Sequence, residues 1–345
     1  MAGTYTKRMG RARLAALAGL LGTLAALGGC LPQRFVIDVT PAKRELQESE
    51  VMTTGVGAAN AKVALIPVTG LIADVTAPGL LGPGSNMVDD FAARLRRAEE
   101  DPNVRAVVLR INTPGGTVTG SDIILSEIRR FRERTGKPVV ASMGEIATSG
   151  GYYIACGADE MMAQPTSVTG SIGVIFQTVN VSRGLAMIGV EARAVKSGAN
   201  KDVANPLTPI DESQYEVLES MVDSYYDRFR TLVVERRGGL SPADVEWATD
   251  GRVMTGERAL EVGLVDSLGG VREAVDAARR LAGVQGSVRV VAYHPGGIGP
   301  RSPYGVIGSD GAPEMARGGG EVNVLNIPLP ESLAIEPGFY YLWRP

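Results

Sequence analysis

The sequence predicts an α/β fold organised around a parallel sheet buried on both faces, and three observations carry that prediction. Short apolar runs at 63–68, 106–111 and 138–143 have the length and composition of buried strands. Segments with apolar residues at helical spacing, 86–100 and 121–134, stand between them. Glycine-rich corners, Thr113-Pro114-Gly115-Gly116 and Thr148-Ser149-Gly150-Gly151, follow the second and third runs directly. Strand and helix in alternation imply right-handed crossovers. In sheets of this kind ligands collect beyond the carboxyl ends of the strands, so Gly116 and Ser149 are expected on one rim.

The chain opens with a segment to be set aside from the fold. Lys7, Arg8, Arg11 and Arg13 precede the apolar stretch from Leu14 to Leu27, which is shorter than the roughly 20 residues of a membrane span. Residues 1–29 therefore read as a signal peptide. They end in Leu27-Gly28-Gly29-Cys30, which resembles a bacterial lipobox, and such a signal is cut before the cysteine so that Cys30 carries lipid. An uncleaved anchor is the alternative. Either way the folded part is expected in the cell envelope, tethered by its N-terminus on the extracytoplasmic side. Residues 30–60 are polar and read as a linker.

From Lys62 the signals become regular. Ser85 is the expected cap of the first helix, and a folded domain is expected over 61–293. The apolar run 138–143 leads through Ser149 into a helix over 152–156. Glu160 to Ala163 and Val174 to Val179 are short strand candidates separated by a turn at 169–173. The longest helix, between Asp211 and Arg237, lines up Tyr215, Leu218, Val222, Tyr225, Phe229 and Leu232 as a core or subunit-contact stripe. Helices follow at Ser241-Pro242, 256–262 and 271–282, and a strand at 288–292. Residues 294–345 form a tail rich in glycine and proline, expected to lie loosely. Its end, Phe339-Tyr340-Tyr341-Leu342-Trp343, fits a purely solvated tail poorly and leaves two readings, an incidental terminus or a segment that docks on a groove such as the substrate cleft or a neighbouring subunit.

Composition narrows the function. A net charge of −3 and a pI near 5.5 give no basis for binding nucleic acid. The glycine turn at 113–116 lacks the lysine of a phosphate-binding loop and fits an oxyanion-binding role better, and no cofactor is expected. Ser149, at a strand-to-helix corner, is placed as a helix cap or as a nucleophile. A nucleophilic serine needs a base. The one histidine, His294, is far downstream, and Lys7, Lys43, Lys62 and Lys137 fall in the leader, in the linker or just before strands, where a solvated lysine is ordinary. The loop holding Lys196 and Lys201 is left to supply it. Cys156 is expected in the core.

Five separate motifs stand in order: Arg110-Ile111-Asn112-Thr113-Pro114-Gly115-Gly116, Ala147-Thr148-Ser149-Gly150-Gly151-Tyr152-Tyr153, Thr169-Gly170-Ser171-Ile172-Gly173-Val174, Lys196-Ser197-Gly198 through Lys201-Asp202, and Gly251-Arg252-Val253 with Gly263-Leu264-Val265-Asp266. In these the chain resembles the signal peptide peptidase A family over about 63–283. The resemblance implies a Clp-protease/crotonase-like parallel-sheet spiral with flanking helices, working as a serine endopeptidase with a Ser/Lys dyad. It implies Ser149 as nucleophile, Lys201 as base with Lys196 as the competing lysine, and the Gly116 and Gly150 amides as oxyanion donors. Ser171 is implied as a positioning group for the lysine. It further implies remnant signal peptides as substrates, membrane attachment, and a homo-oligomeric ring in which the lysine can come from a neighbour. Two other readings compete: an acyl-CoA enzyme of the same fold, with Glu145 as its carboxylate, and an inactive scaffold.

Overall fold

The computed structural model describes residues 46–55, 57, 59–76, 86–296, 299–305 and 338–343 of the 345-residue chain. The leader, Cys30 and residues 306–337 lie outside the described residues.

Nine strands form the main sheet. In chain order its members are β1 (Leu46–Thr54), β2 (Ala61–Thr69), β3 (Val104–Thr113), β5 (Val139–Thr148), β6 (Glu160–Ala163), β7 (Val168–Gly170), β9 (Val253–Thr255), β10 (Ser267–Leu268) and β11 (Val288–Pro295). The path runs β1-β11-β2-β3-β5-β6-β10, with β7 paired to β5 and β9. Every pairing in it is parallel except β1 with β11 and β9 with β7. A second, antiparallel sheet of three strands is ordered β4-β12-β8, from β4 (Gly115–Thr117), β12 (Phe339–Leu342) and β8 (Ile175–Phe176).

The central strands are buried on both faces because their side chains alternate between two cores. Ala64, Ile66, Val107, Leu109, Ile111, Ala141 and Met143 face one layer of helices: α1 (Met87–Glu100), α2 (Val118–Thr135) and α3 (Gly150–Ala155). Val63, Leu65, Ala106, Val108 and Val140 face the other, where α8 (Val271–Leu281) lays down Val271, Ala274, Val275 and Ala278. In the chain between α3 and α8 come α4 (Ser182–Met187), α5 (Glu212–Arg236), α6 (Pro242–Ala248) and α7 (Gly256–Glu261). The stripe on α5 is core toward its C-terminal end, where Phe229 and Leu232 are buried.

The structure corrects several expectations. Part of the 30–60 range is not linker, because Leu46–Thr54 pairs along β11 as an edge strand. Its sequence alternates without an apolar run, since Val51 alone of its residues is fully buried. Asn86, not Ser85, caps α1 and accepts from the amides of Val88 and Asp89. The 169–173 stretch is not simply a turn, for Val168–Gly170 is a strand held between β5 and β9. Lys62 and Lys137 are not solvated. Lys62 pairs with Glu48 and Asp101. Lys137 donates to the carbonyls of Ala98, Glu99 and Asp101, the open acceptors at the end of α1. The domain continues past residue 293, since β11 runs to Pro295 and the chain returns as β12.

Candidate active site

Two corners meet at the carboxyl end of the sheet. After β5 the chain turns sharply at Ser149, with φ 54° and ψ −114°, into α3. A left-handed φ on a residue with a side chain costs about 1–3 kcal/mol and persists only where the surroundings enforce it. Here β7 enforces it: Thr148 is in register with Gly170, and the Ser149 amide donates to the Gly170 carbonyl at 2.8 Å. The Ser149 carbonyl accepts from Tyr153 and closes the first helical turn. Ser149 is 1% exposed, and its Oγ has no hydrogen-bond partner. The side chain does not cap the helix, so the alternative role considered for it is not the one it plays.

The second corner follows β3. Thr113 Oγ1 receives the Gly115 amide and donates to the Gly70 carbonyl, which ties the turn to the end of β2. Ile72 lies against the turn: its amide donates to the Gly115 carbonyl and its carbonyl accepts from Thr117. These bonds seat the glycines so closely that side chains are excluded. A Cβ on Gly116 would lie 1.9 Å from the Ile72 oxygen. One on Gly150 would lie 3.2 Å from the Gly116 nitrogen, and one on Gly115 would lie 2.8 Å from the Gly150 nitrogen. The Gly116 and Gly150 amides therefore stand side by side at the serine corner. Asn112 joins the two corners by accepting from the Ile146 amide. Asn112 and Thr113 are site-building residues that sequence reading placed in a motif without a role. A polar pair opening a glycine turn was the signal available.

Ser171 follows Gly170 and so emerges next to Ser149, also with a left-handed φ of 52°. The structure thus brings Ser149, Gly116, Gly150 and Ser171 together. It does not join Lys201 to them. Lys201 lies in the short 3₁₀ turn Ala199–Asp202 with its side chain exposed. That side chain makes no hydrogen bond or ion pair among the described residues. Lys196 is engaged instead, with its Nζ 2.6 Å from Asp202 and 3.0 Å from the Ala199 carbonyl. Asp202 also accepts from Gln214 of α5, so Lys196 serves to close the loop that presents Lys201. The Lys196 bond, followed by the Gln214 bond, holds the Asp202 carboxyl below its ordinary range. Glu145 is exposed, which leaves the acyl-CoA reading without a sequestered carboxylate. Cys156 is core, as expected, and burial pushes its thiol up to about 12.

Of the two readings of the aromatic end, the structure shows docking, with β12 paired to β4 beside the serine corner. Tyr341 packs on Tyr153 and Phe229, and Phe339 packs on Phe176 and Tyr225.

A buried serine in a strained strand-to-helix corner, beside two buried glycines on an α/β sheet, is the arrangement of enzymes that carry an acyl group on serine. The Peptidase family S49 profile matches residues 132–285. The putative signal peptide peptidase SppA of Enterococcus faecium is 32% identical over 269 residues, covering 73% of this chain and 78% of that protein. Protease 4 of Salmonella typhi is 39% identical over 220 residues, 64% of this chain and 34% of that protein. The chloroplastic serine protease SPPA of Arabidopsis thaliana is 31% identical over 235 residues, 67% of this chain and 34% of that protein. This chain thus matches about a third of the length of the latter two. It belongs to the signal peptide peptidase A family of serine proteases.

Proposed function

We propose that the protein is a membrane-tethered serine endopeptidase that cleaves remnant signal peptides or other exported peptides through a Ser149/Lys201 dyad. The observation that carries this reading is the Ser149 Oγ itself, sequestered without a partner in a strained corner and flanked by the Gly116 and Gly150 amides. In the reaction, Ser149 Oγ attacks the peptide carbonyl while an uncharged Lys201 amine takes its proton. The two amides hold the oxyanion of the tetrahedral intermediate, a contribution of about 10²–10³ in rate for each donor of this kind. The lysine returns the proton to the departing amine. Water then loses a proton to the same lysine and hydrolyses the acyl-enzyme.

Lys201 reaches a serine only from a neighbouring copy in this reading, which makes the active unit a homo-oligomeric ring. Support comes from the exposed apolar surface of the segment that carries it: Met187, Ile188 and Val195 are 87%, 73% and 106% exposed. Tethering rests on Cys30 and the leader before it. No helix among the described residues is long and apolar enough to cross a membrane. Hydrolysis of casein by wild type, Ser149→Ala, Lys201→Ala and Lys196→Ala tests the assignment. The first two variants should be inactive, whereas Lys196→Ala, which only loosens the loop that presents Lys201, should keep part of the activity. Equal hydrolysis by all four proteins removes the dyad, and loss confined to Lys196→Ala moves the base.

A further inference from the structure

Lys201 is carried by a stretch of chain folded without a core. Every residue from 177 to 211 is exposed or half-buried. Polar bonds shape the stretch instead. Asn180 donates to the Thr208 carbonyl at 2.7 Å, and the Val181 amide donates to the Pro206 carbonyl at 2.8 Å, which brings the two ends of the stretch together. A lysine on a loop of this kind would sweep through many positions, whereas a group that takes a proton from a nucleophile must be held to within about 0.5 Å.

Two acceptors that bracket Lys201 supply the hold. The Ala199 carbonyl accepts from Lys196 at 3.0 Å and from Gln214 at 2.6 Å, and the Asp202 carboxylate accepts from the same two donors at 2.6 and 3.1 Å. The donors differ in what stands behind them. Lys196 belongs to the exposed stretch and moves with it. Gln214 is buried, 7% exposed, in the first turn of α5. Further along, α5 is tied to the serine corner: Arg228 donates to Asp122 of α2 at 2.6 Å and to the Tyr153 hydroxyl at 3.2 Å, and Phe229 sets its ring against that of Tyr153 at 5.0 Å. Tyr153 is the residue whose amide closes the helical turn begun by Ser149. At 1.5 Å of rise per residue the two anchor points, Gln214 and Phe229, stand about 22 Å apart along one helix. A single rigid element thus joins the serine corner of a chain to the loop that carries its lysine.

We propose that Gln214 is the positioning residue for Lys201: through its two hydrogen bonds α5 mounts the base, and it does so in the chain that carries the lysine, for the serine of the adjacent copy. The proposal rests on the shared Ser149/Lys201 reading and adds to it the residue that aims the base. Gln214 acts on the backbone and carboxylate either side of Lys201, not on peptide or on a reacting atom. Its loss therefore lowers kcat and leaves KM where it was, by about 10²-fold, the usual loss when a catalytic group sits 1 Å out of place.

Gln214→Leu keeps the bulk of the side chain and removes both bonds, and the full chain carrying it should hydrolyse peptide with kcat lowered about 10²-fold at an unchanged KM. Mixed assemblies then locate the defect. Gln214→Leu mixed with Ser149→Ala, whose lysine keeps its mount, should recover about a quarter of wild-type activity, which also shows that the variant folds and assembles. Lys201→Ala mixed with Ser149→Ala/Gln214→Leu offers every intact serine only unmounted lysines, and its activity should fall about 10²-fold short of Lys201→Ala mixed with Ser149→Ala. An unchanged kcat in Gln214→Leu, a loss carried wholly by KM, or equal activity of the last two mixtures overturns the proposal. Silence of the Lys201→Ala and Ser149→Ala mixture overturns the shared dyad instead. The mount is then read without turnover: trypsin should cut after Lys201 several-fold faster in Ser149→Ala/Gln214→Leu than in Ser149→Ala, and equal rates of cutting overturn it.

Discussion

An alanine at position 116 should destabilise the protein by about 4 kcal/mol. The added Cβ would lie 1.9 Å from the Ile72 oxygen and 2.5 Å from the Ile72 carbon and nitrogen, all backbone atoms that no rotamer change can move aside. Ile72 must leave. With it go the hydrogen bonds Ile72 N to Gly115 O and Thr117 N to Ile72 O, each worth about 1 kcal/mol net. The burial of the Ile72 side chain, 0% exposed, contributes about 2 kcal/mol more. Urea unfolding followed by tryptophan fluorescence measures the loss, with Gly184→Ala as the comparison. Gly184 lies within α4 and a Cβ there meets nothing within 4 Å, so that variant should be stabilised by up to about 1 kcal/mol. Should Gly116→Ala unfold within about 1 kcal/mol of wild type, the packing of Ile72 over the glycine turn is not what fixes the turn, and the reasoning fails.

Three further outcomes follow from the same geometry. Ser149→Gly should abolish hydrolysis yet raise thermal stability by about 1–2 kcal/mol, because it relieves the left-handed φ and removes a buried hydroxyl with no partner; a lower melting temperature would contradict this. Cys156, its thiol pushed up to about 12 by burial, should resist iodoacetamide at pH values near 8 in the native state and react on unfolding, as peptide mapping would report. The Asp202 carboxyl is held below its ordinary range by Lys196 and then Gln214, so the clamp on the Lys201 loop is fully present above the ordinary carboxylate range and is lost as pH falls through the depressed value. Pepsin should therefore cut within 196–205 faster at a pH well below the ordinary carboxylate range than above it, with a protein lacking the Lys196 partner as the control for pepsin's own pH dependence, and an unchanged ratio would show that the clamp does not order the loop.

Much of this architecture was legible because its signals are local. The runs at 63–68 and 106–111 lie inside β2 and β3, all but the first residue of 138–143 lies in β5, and the stripe from Tyr215 to Leu232 lies on α5. Two-faced burial makes such strands continuously apolar, which is why they stand out. β1 was hidden because an edge strand that presents little more than Val51 to the core carries almost no apolar pattern. Lys62 and Lys137 read as solvated because their partners, at Asp101 and at the end of α1, are distant in sequence. The serine corner was legible from its glycines, and docking of the aromatic terminus was one of the two readings its composition left. The register that sets Tyr341 opposite Gly116 was not legible, since it depends on how two remote segments pair. Lys201 was chosen by its place in a family motif, and a single chain gives no physical reason for it to meet Ser149.

One measurement decides whether those two residues form a site between copies. Ser149→Ala and Lys201→Ala proteins, each inactive alone, are mixed under conditions that exchange subunits, and hydrolysis is followed as mixed assemblies form. Random association pairs an intact serine with an intact neighbouring lysine at about a quarter of positions, so activity should return to about that fraction of wild type. If mixed assemblies form and stay silent, Lys201 does not serve the serine of an adjacent subunit.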